Sequence, residues 1–262
     1  MRSVRRRCTG QAGAGCYEAA VLALLLHVQI LGLLHPHAAL VFPDGAAQPV
    51  EARAGETYAA RRFTVEVRSL PKSIRREYRG RLRVEDAGSE LRLVNEVELE
   101  DYVASVVGAE IDAAPAAARD ALAIVARSFA IRAEHAGHLC DTTHCQWYRG
   151  LKRADIASAR RTEGEILLLA DGRPAPAFHS QDCGGSTARA ADVWPGASAD
   201  EDQASQRAPD THLSGLPKGS GHGVGLCQRG AAFLATKGAS AHQIAARYFP
   251  RLHIGRDVGR VP

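Results

Sequence analysis

Long apolar runs are missing from this chain. Near its N-terminus the uninterrupted run from Ala19 to Leu26 is eight residues long, against the roughly 20 that a membrane-spanning helix needs. Glu18, His27 and Gln29 break up what otherwise resembles a charged n-region, MRSVRRRC, followed by an apolar h-region. Residues 1–26 are read as a signal or anchor segment or as a mis-assigned start, and membrane attachment is expected only through them. Cysteine is scarce too: the six, at 8, 16, 140, 145, 183 and 227, are too few and too scattered to staple a miniature fold. Charge of one sign does not dominate. A net charge of +4 suits an anionic polymer and is too weak to argue for nucleic acid. Nucleotide-binding fingerprints are absent, since neither glycine-rich stretch carries the Lys-Ser/Thr or GxGxxG register.

What is present is the composition of a globular protein. With 45% apolar and 24% charged residues over 262 positions, the chain can bury a core as one large domain or two small ones. LHVQILGLLHPHAALVF reads as two short strands, His27 to Leu31 and Ala38 to Phe42, around a turn near His35 and Pro36. ARRFTVEVRSL from Ala60, RGRLRVED from Arg79 and ELRLVNEV from Glu90 alternate apolar and polar residues. Pro71, Lys72 and Gly88 stand in the turns between them, so residues 27–97 predict a half-buried antiparallel sheet. After Asn95 the period changes. Leu99, Tyr102, Val103, Val106, Val107, Glu110 and Ile111 fall at helical spacing, with Glu98, Glu100 and Asp101 at the favourable N-terminal end. Pro115 opens a second helix with Leu122, Val125, Ala126 and Phe129 in its stripe, ending before Gly137. The predicted fold class is α+β: the sheet region, then a mixed helical and β region.

Two features carry chemistry. Glu110 continues the apolar face of its helix, and Gly108 and Ala109 leave space beside it. Desolvation there raises a carboxyl pKa toward the protonated form a general acid needs. The bland alternative is a solvated glutamate, or one paired with Arg119 or Arg127. HAGHLCDTTHCQWY, from His135 to Tyr148, is a Cys/His knot. Cys140, His144 and Cys145 with His135 or His138 make a Cys2His2 set at spacings zinc accepts. Four protein ligands would close the coordination sphere and make such a zinc structural; the alternatives are free thiols or a Cys140–Cys145 disulfide. Downstream, FHSQDCGGST and GHGVGLCQRGA place glycines where backbone can approach a ligand, the second just before a helix.

Taken in order, LVNEVELEDYVASVVGAEI, ALAIVARSFAIRAEH, CDTTHCQ, FHSQDCGGST and GHGVGLCQRGA resemble the stage II sporulation protein D (SpoIID) family, which includes the amidase-enhancer proteins. The resemblance spans residues 27–250. It implies a lytic transglycosylase acting on peptidoglycan glycan strands, especially strands stripped of stem peptides, in an exported, wall-facing protein. A cell-wall amidase is the implied protein partner, and neither nucleic acid nor an organic cofactor is expected. By the same resemblance Glu110 is the catalytic acid/base, and a structural zinc is held by Cys140, His144, Cys145 and preferably His135, with His138 competing. Ser180, Gly184, Gly185, Thr187, His222, Gly223, Gly225 and Gln228 would wall the glycan cleft. The implied organisation is a β-rich region at 27–97, a catalytic region at 98–190, a linker at 191–218 and a C-terminal region at 219–262. Two departures stand out: the family pattern has a long β insertion where only 34 residues separate Thr187 from His222, and Arg229 replaces an aromatic after CysGln. That short linker reads as polar and poorly ordered.

Overall fold

The computed structural model describes residues 24–69, 72–210 and 221–256. Of the signal or anchor expected at 1–26, all but the last three residues lie outside the described residues, as does the 211–218 part of the linker.

Alternating sequence becomes a six-stranded antiparallel sheet, in the order β1-β6-β5-β4-β2-β3. The strands are β1 (Leu25–Ile30), β2 (Ala39–Pro43), β3 (Val50–Glu51), β4 (Thr57–Ser69), β5 (Lys72–Ala87) and β6 (Glu90–Glu98). Val28 and Ile30, Phe63 and Val65, and Tyr78 and Leu82 take the inward positions of their strands and are buried. Expectation and structure differ in one place. Lys72, expected in a turn, already pairs with Ser69, so β5 starts seven residues before Arg79; Pro71 lies outside the described residues. The two N-terminal strands flank a turn as expected, β1 lying on β6 and β2 on β4.

The helices pack on the sheet. α1 (Leu99–Glu110) follows β6 directly, and α2 (Ala116–His135) lies against it. An aromatic row joins the layers: Phe63 stacks on Tyr78 at 5.6 Å, Tyr78 meets Tyr148 at 5.7 Å, and Tyr148 stacks on Tyr102 of α1 at 5.0 Å. Tyr148 also donates to Asn95 Oδ1 at 2.7 Å, while the Asn95 amide donates to the Arg79 and Arg81 carbonyls, satisfying a polar group inside the sheet. Arg127 on α2 is fully buried and grips Glu100 bidentately at 2.8 and 2.7 Å. It also donates to the Glu165 carbonyl, tying both helices to β7 (Glu165–Leu168). α3 (Ile156–Arg161) is capped by Asp155, which accepts from Ser158 N–H, and packs on α1.

Within residues 190–210 of the linker stretch lie α4 (Ala190–Val193) and α5 (Ala199–Gln203), the second started by a Ser198–Glu201 capping box. Their polar composition is satisfied by partners elsewhere in the chain. Arg189 holds Asp202 bidentately at 3.1 and 2.6 Å, and Arg132 and Arg173 converge on Asp200. Short strands and helices complete the fold: β8 (His179–Ser180), β9 (Leu226–Cys227), α6 (Gln228–Thr236), α7 (Ala241–Tyr248) and β10 (His253–Arg256), the last antiparallel to β7. The fold is α+β with an antiparallel sheet, as the alternation and period change predict. No helix among the described residues is long and apolar enough to cross a membrane.

Candidate active site

α1 ends on Glu110, and three distant segments meet its carboxylate. Oε1 accepts from the Trp147 main-chain N–H at 3.0 Å and lies 3.4 Å from His179 Nε2, while Oε2 accepts from the Gln228 side-chain amide at 2.9 Å. The Glu110 side chain is only 14% exposed. Parallel pairing of β8 with β9 sets His179 and Gln228 in place, since His179 faces Leu226 in register and Gln228 follows β9 as the first residue of α6. That pairing requires glycine at 225: φ is +79°, and a Cβ there would sit 2.1 Å from the Phe178 carbonyl oxygen.

The protonation state reverses the expectation from sequence. Burial does raise the Glu110 pKa, but hydrogen bonds from His179, Gln228 and the Trp147 N–H outweigh it and hold the pKa at about 2. The resting group is a carboxylate, not the neutral acid predicted from an apolar helix face. Neither Arg119 nor Arg127 is its partner, since Arg119 pairs with Asp155 at 3.0 Å and Arg127 with Glu100. Nor does Gly108 leave space for a ligand: a Cβ at 108 would meet the Arg153 carbonyl oxygen at 1.5 Å, so protein backbone fills that side.

The knot lies on the other side of Trp147. His138 Nε2 is 3.3 Å from His144 Nδ1, and Cys145 Sγ is 3.7 Å from that nitrogen. Cys140 Sγ is 3.2 Å from Cys145 Sγ and 3.9 Å from His144 Nδ1. Both cysteines are free thiols, so the disulfide alternative does not hold. The cluster draws in His138 where the sequence favoured His135; the turn after α2, with the His138 N–H bonded back to the Ala133 carbonyl, carries His138 toward the loop. Zinc bonds of about 2.3 Å to sulfur and 2.0–2.1 Å to nitrogen put tetrahedral ligand atoms about 3.3–3.8 Å apart. The His138–His144 and His144–Cys145 distances fall in that range, whereas both Cys140 distances lie just outside it and the group that could hold an ion is His138, His144 and Cys145. The hydrogen bond between the Cys140 and Cys145 thiols pulls the Cys140 pKa down to about 4, toward the thiolate a metal takes. The loop is anchored to β1, where the Gln29 N–H donates to the Leu139 carbonyl at 2.9 Å and the Asp141 N–H to the Gln29 carbonyl at 3.0 Å. Asp141, buried beside it, accepts from Leu31 N–H and Arg76.

Residues 87–169 match the family model SpoIID, Stage II sporulation protein. The matched stretch, about a third of the chain, holds Glu110, Trp147 and the whole Cys/His loop. No curated protein matches the chain. His179 and Gln228 lie C-terminal to the SpoIID match, yet both converge on the Glu110 carboxylate within it.

The other expected wall residues separate into groups. His222 sits behind His179, its ring 5.0 Å from Trp194 and 6.4 Å from Phe178, with Nδ1 accepting from the Val224 N–H at 3.0 Å. Burial and the neighbouring His179 bring the His222 pKa down to about 4, so it is neutral at pH 7. Ser180, on the opposite face of β8 from His179, buries its hydroxyl without a hydrogen-bond partner among the described residues. Thr187 is no open wall: it is buried, and its hydroxyl donates to the Gln206 carbonyl at 2.7 Å. Gly184 and Gly185 shape the turn after Asp182, whose Oδ1 accepts the Gly184 N–H at 2.8 Å, and Gly223 lies at φ +75° beside Ala188. The sequence reading missed His179 and Trp147. His179 stood next to the chosen Ser180, and in a strand adjacent side chains face opposite ways, so picking one neighbour excluded the other.

Proposed function

We propose that this chain is a lytic transglycosylase that cuts the MurNAc–GlcNAc bond of peptidoglycan glycan strands and leaves a 1,6-anhydroMurNAc end. The observation that carries the reading is the buried Glu110 carboxylate, met by Trp147, His179 and Gln228 from three separate motifs. One carboxyl suffices for this chemistry. Protonated Glu110 gives its proton to the glycosidic oxygen as the C1–O bond breaks; as carboxylate it then takes the proton from the MurNAc O6 hydroxyl as O6 bonds to C1. The proton that left on the GlcNAc hydroxyl is thus replaced from O6, and the enzyme is unchanged. No water-activating second carboxylate is needed, unlike in hydrolysing glycosidases.

The resting ionisation of Glu110 defines what the neighbours must do. His179, 3.4 Å away, is placed to pass a proton to Oε1, and a sugar that displaces water from the site adds to the burial that favours the neutral acid. Gln228 orients the second oxygen and cannot itself exchange charge. Zinc held by Cys140, His144, Cys145 and His138 would supply rigidity to the loop that presents the Trp147 N–H. Exported, wall-facing placement and an amidase partner belong to the same reading.

A second reading, a non-catalytic wall-binding module or amidase enhancer, is favoured by one observation: all the donors around Glu110 stabilise the form that is not an acid. The two part company in one assay. Wild type and Glu110→Gln are incubated with peptide-free glycan strands and the products analysed by mass spectrometry. Anhydro ends from wild type alone support the enzyme; strands bound by both proteins but never cut support the binding module.

A further inference from the structure

Beside Glu110 the fold holds a cation that it does not use. The neighbouring arginines are committed: Arg76 to Asp141 at 2.8 Å, Arg79 to Asp101 at 2.5 Å, Arg153 to Asp112 at 3.2 Å. The Arg149 guanidinium has no ion pair or hydrogen bond among the described residues; it lies over the Trp147 ring, 4.2 Å from its centroid. Its backbone is nevertheless fixed, with its N–H donated to Ser105 Oγ on α1 at 3.1 Å and Leu151 N–H bonded to the Glu77 carbonyl at 2.8 Å. A half-buried arginine without a carboxylate is an unusual use of a strongly basic group. Burial and the like charge of Arg76 lower its pKa, and the carboxylates of Asp141 and Glu110 pull it back up.

Trp147 is the second half of the arrangement. Its main-chain N–H binds Glu110, yet its indole is 40% exposed, one of the few large apolar side chains left open to solvent. The exposed part of the indole offers a flat apolar surface next to the reacting carboxyl, and the guanidinium stacked over one face of the ring offers two parallel donors. We infer that Trp147 and Arg149 form a subsite for a carboxylate-bearing sugar, the ring resting against the indole and its carboxylate taken by the guanidinium. The inference rests on the glycan-cleaving reading of Glu110 and deepens it. On a glycan strand the matching group is the lactyl carboxylate of MurNAc, which is free only where the stem peptide has been removed. An amide-linked stem peptide would take that charge away, so Arg149 discriminates stripped from substituted strands. Pairing Arg149 also removes a cation from the surroundings of Glu110, which moves that carboxyl toward the protonated form used in the first step.

The test uses the full chain carrying Glu110→Gln, so that ligands are bound and not consumed. Calorimetry is run with three tetrasaccharides: alternating GlcNAc-MurNAc with free lactyl carboxylates, its lactyl methyl ester, and a neutral GlcNAc tetramer. The acid is expected to bind about tenfold tighter than the ester, the difference expected for one charge-assisted bidentate contact. Adding Arg149→Met should bring the acid down to the ester's affinity and leave the ester unchanged, while Arg149→Lys should keep part of the preference. Thermal melts of both variants establish that they are folded. Equal affinities for acid and ester, loss of both alike in Arg149→Met, or no binding of any of the three overturns the subsite. A wild type that makes anhydro ends yet shows no acid preference sinks the subsite and leaves the proposed reaction standing. An Arg149-dependent preference without anhydro ends does the reverse.

Discussion

The two ends of α1 carry the same residue type in opposite employment. Glu100, in the first turn, is held by the fully buried Arg127, a fixed charge that also binds backbone carbonyls of two other elements. Glu110, in the last turn, is held by a main-chain N–H, a carboxamide and an imidazole, of which only the imidazole can change its charge. The guanidinium is a fixed charge with donors in a rigid fork, so the first glutamate serves the fold as one half of an ion pair. The second has a neighbour able to lend a proton. What separates the two carboxylates is the chemistry of their partners, together with the deeper burial of Glu110, 14% exposed against 34% for Glu100.

The largest effect that would sharpen this contrast is on turnover. Glu110→Gln should lower the rate of anhydro-end formation per folded molecule by about 10²–10⁴-fold, read by mass spectrometry. Glu100→Gln should behave the other way: stability should fall by about 3 kcal/mol in urea unfolding, because the buried Arg127 loses its counter-charge, while activity per folded molecule persists. If Glu100→Gln were as inactive as Glu110→Gln at full folding, the contrast would be broken. Removing metal by a strong chelator, or Cys140→Ser, should lower the melting temperature by about 5 °C or more, with brief chelation leaving activity intact; an immediate and complete loss of turnover would point to an open catalytic metal. The smallest effect is in pH. With a folded-state pKa of about 2, below its unfolded value, Glu110 adds stability that is fully present above pH ~4.5 and lost as pH falls toward 2. Glu110→Gln should therefore flatten the fall in melting temperature across that window, and an unchanged slope would contradict the depressed pKa.

The parts legible in the sequence are those governed by near neighbours. The strands ending at Ser69 and Glu98 and the helices Leu99–Glu110 and Ala116–His135 follow from period and from punctuation by Pro115 and Gly137. Glu110 itself was named through the order of the motifs, although its spacing alone fitted a solvated residue equally well. What could not be read was each group's distant partner. The donors to Glu110 come from 37 and 118 residues away, and they turned an expected neutral acid into a resting anion. The polar linker read as poorly ordered from its composition, and the partners its residues find, Arg132 and Arg173 on Asp200, come from distant segments that composition does not show. His138 replaced His135 in the cluster for a similar reason: the direction of one turn after α2 decided which imidazole reached the thiols.

By itself the sequence determined where strands and helices form, that a carboxylate would end α1 on its apolar side, and that thiols and imidazoles would gather after α2. These rest on side-chain periodicity and short-range geometry, which act within a few residues. Only the tertiary structure decided the charge of Glu110, the choice of His179 over Ser180 as its neighbour, and the unpaired state of Arg149 beside Trp147. Proton affinity and ion pairing depend on every dipole and charge within several ångströms, and the groups that set them here come from segments far apart in the chain.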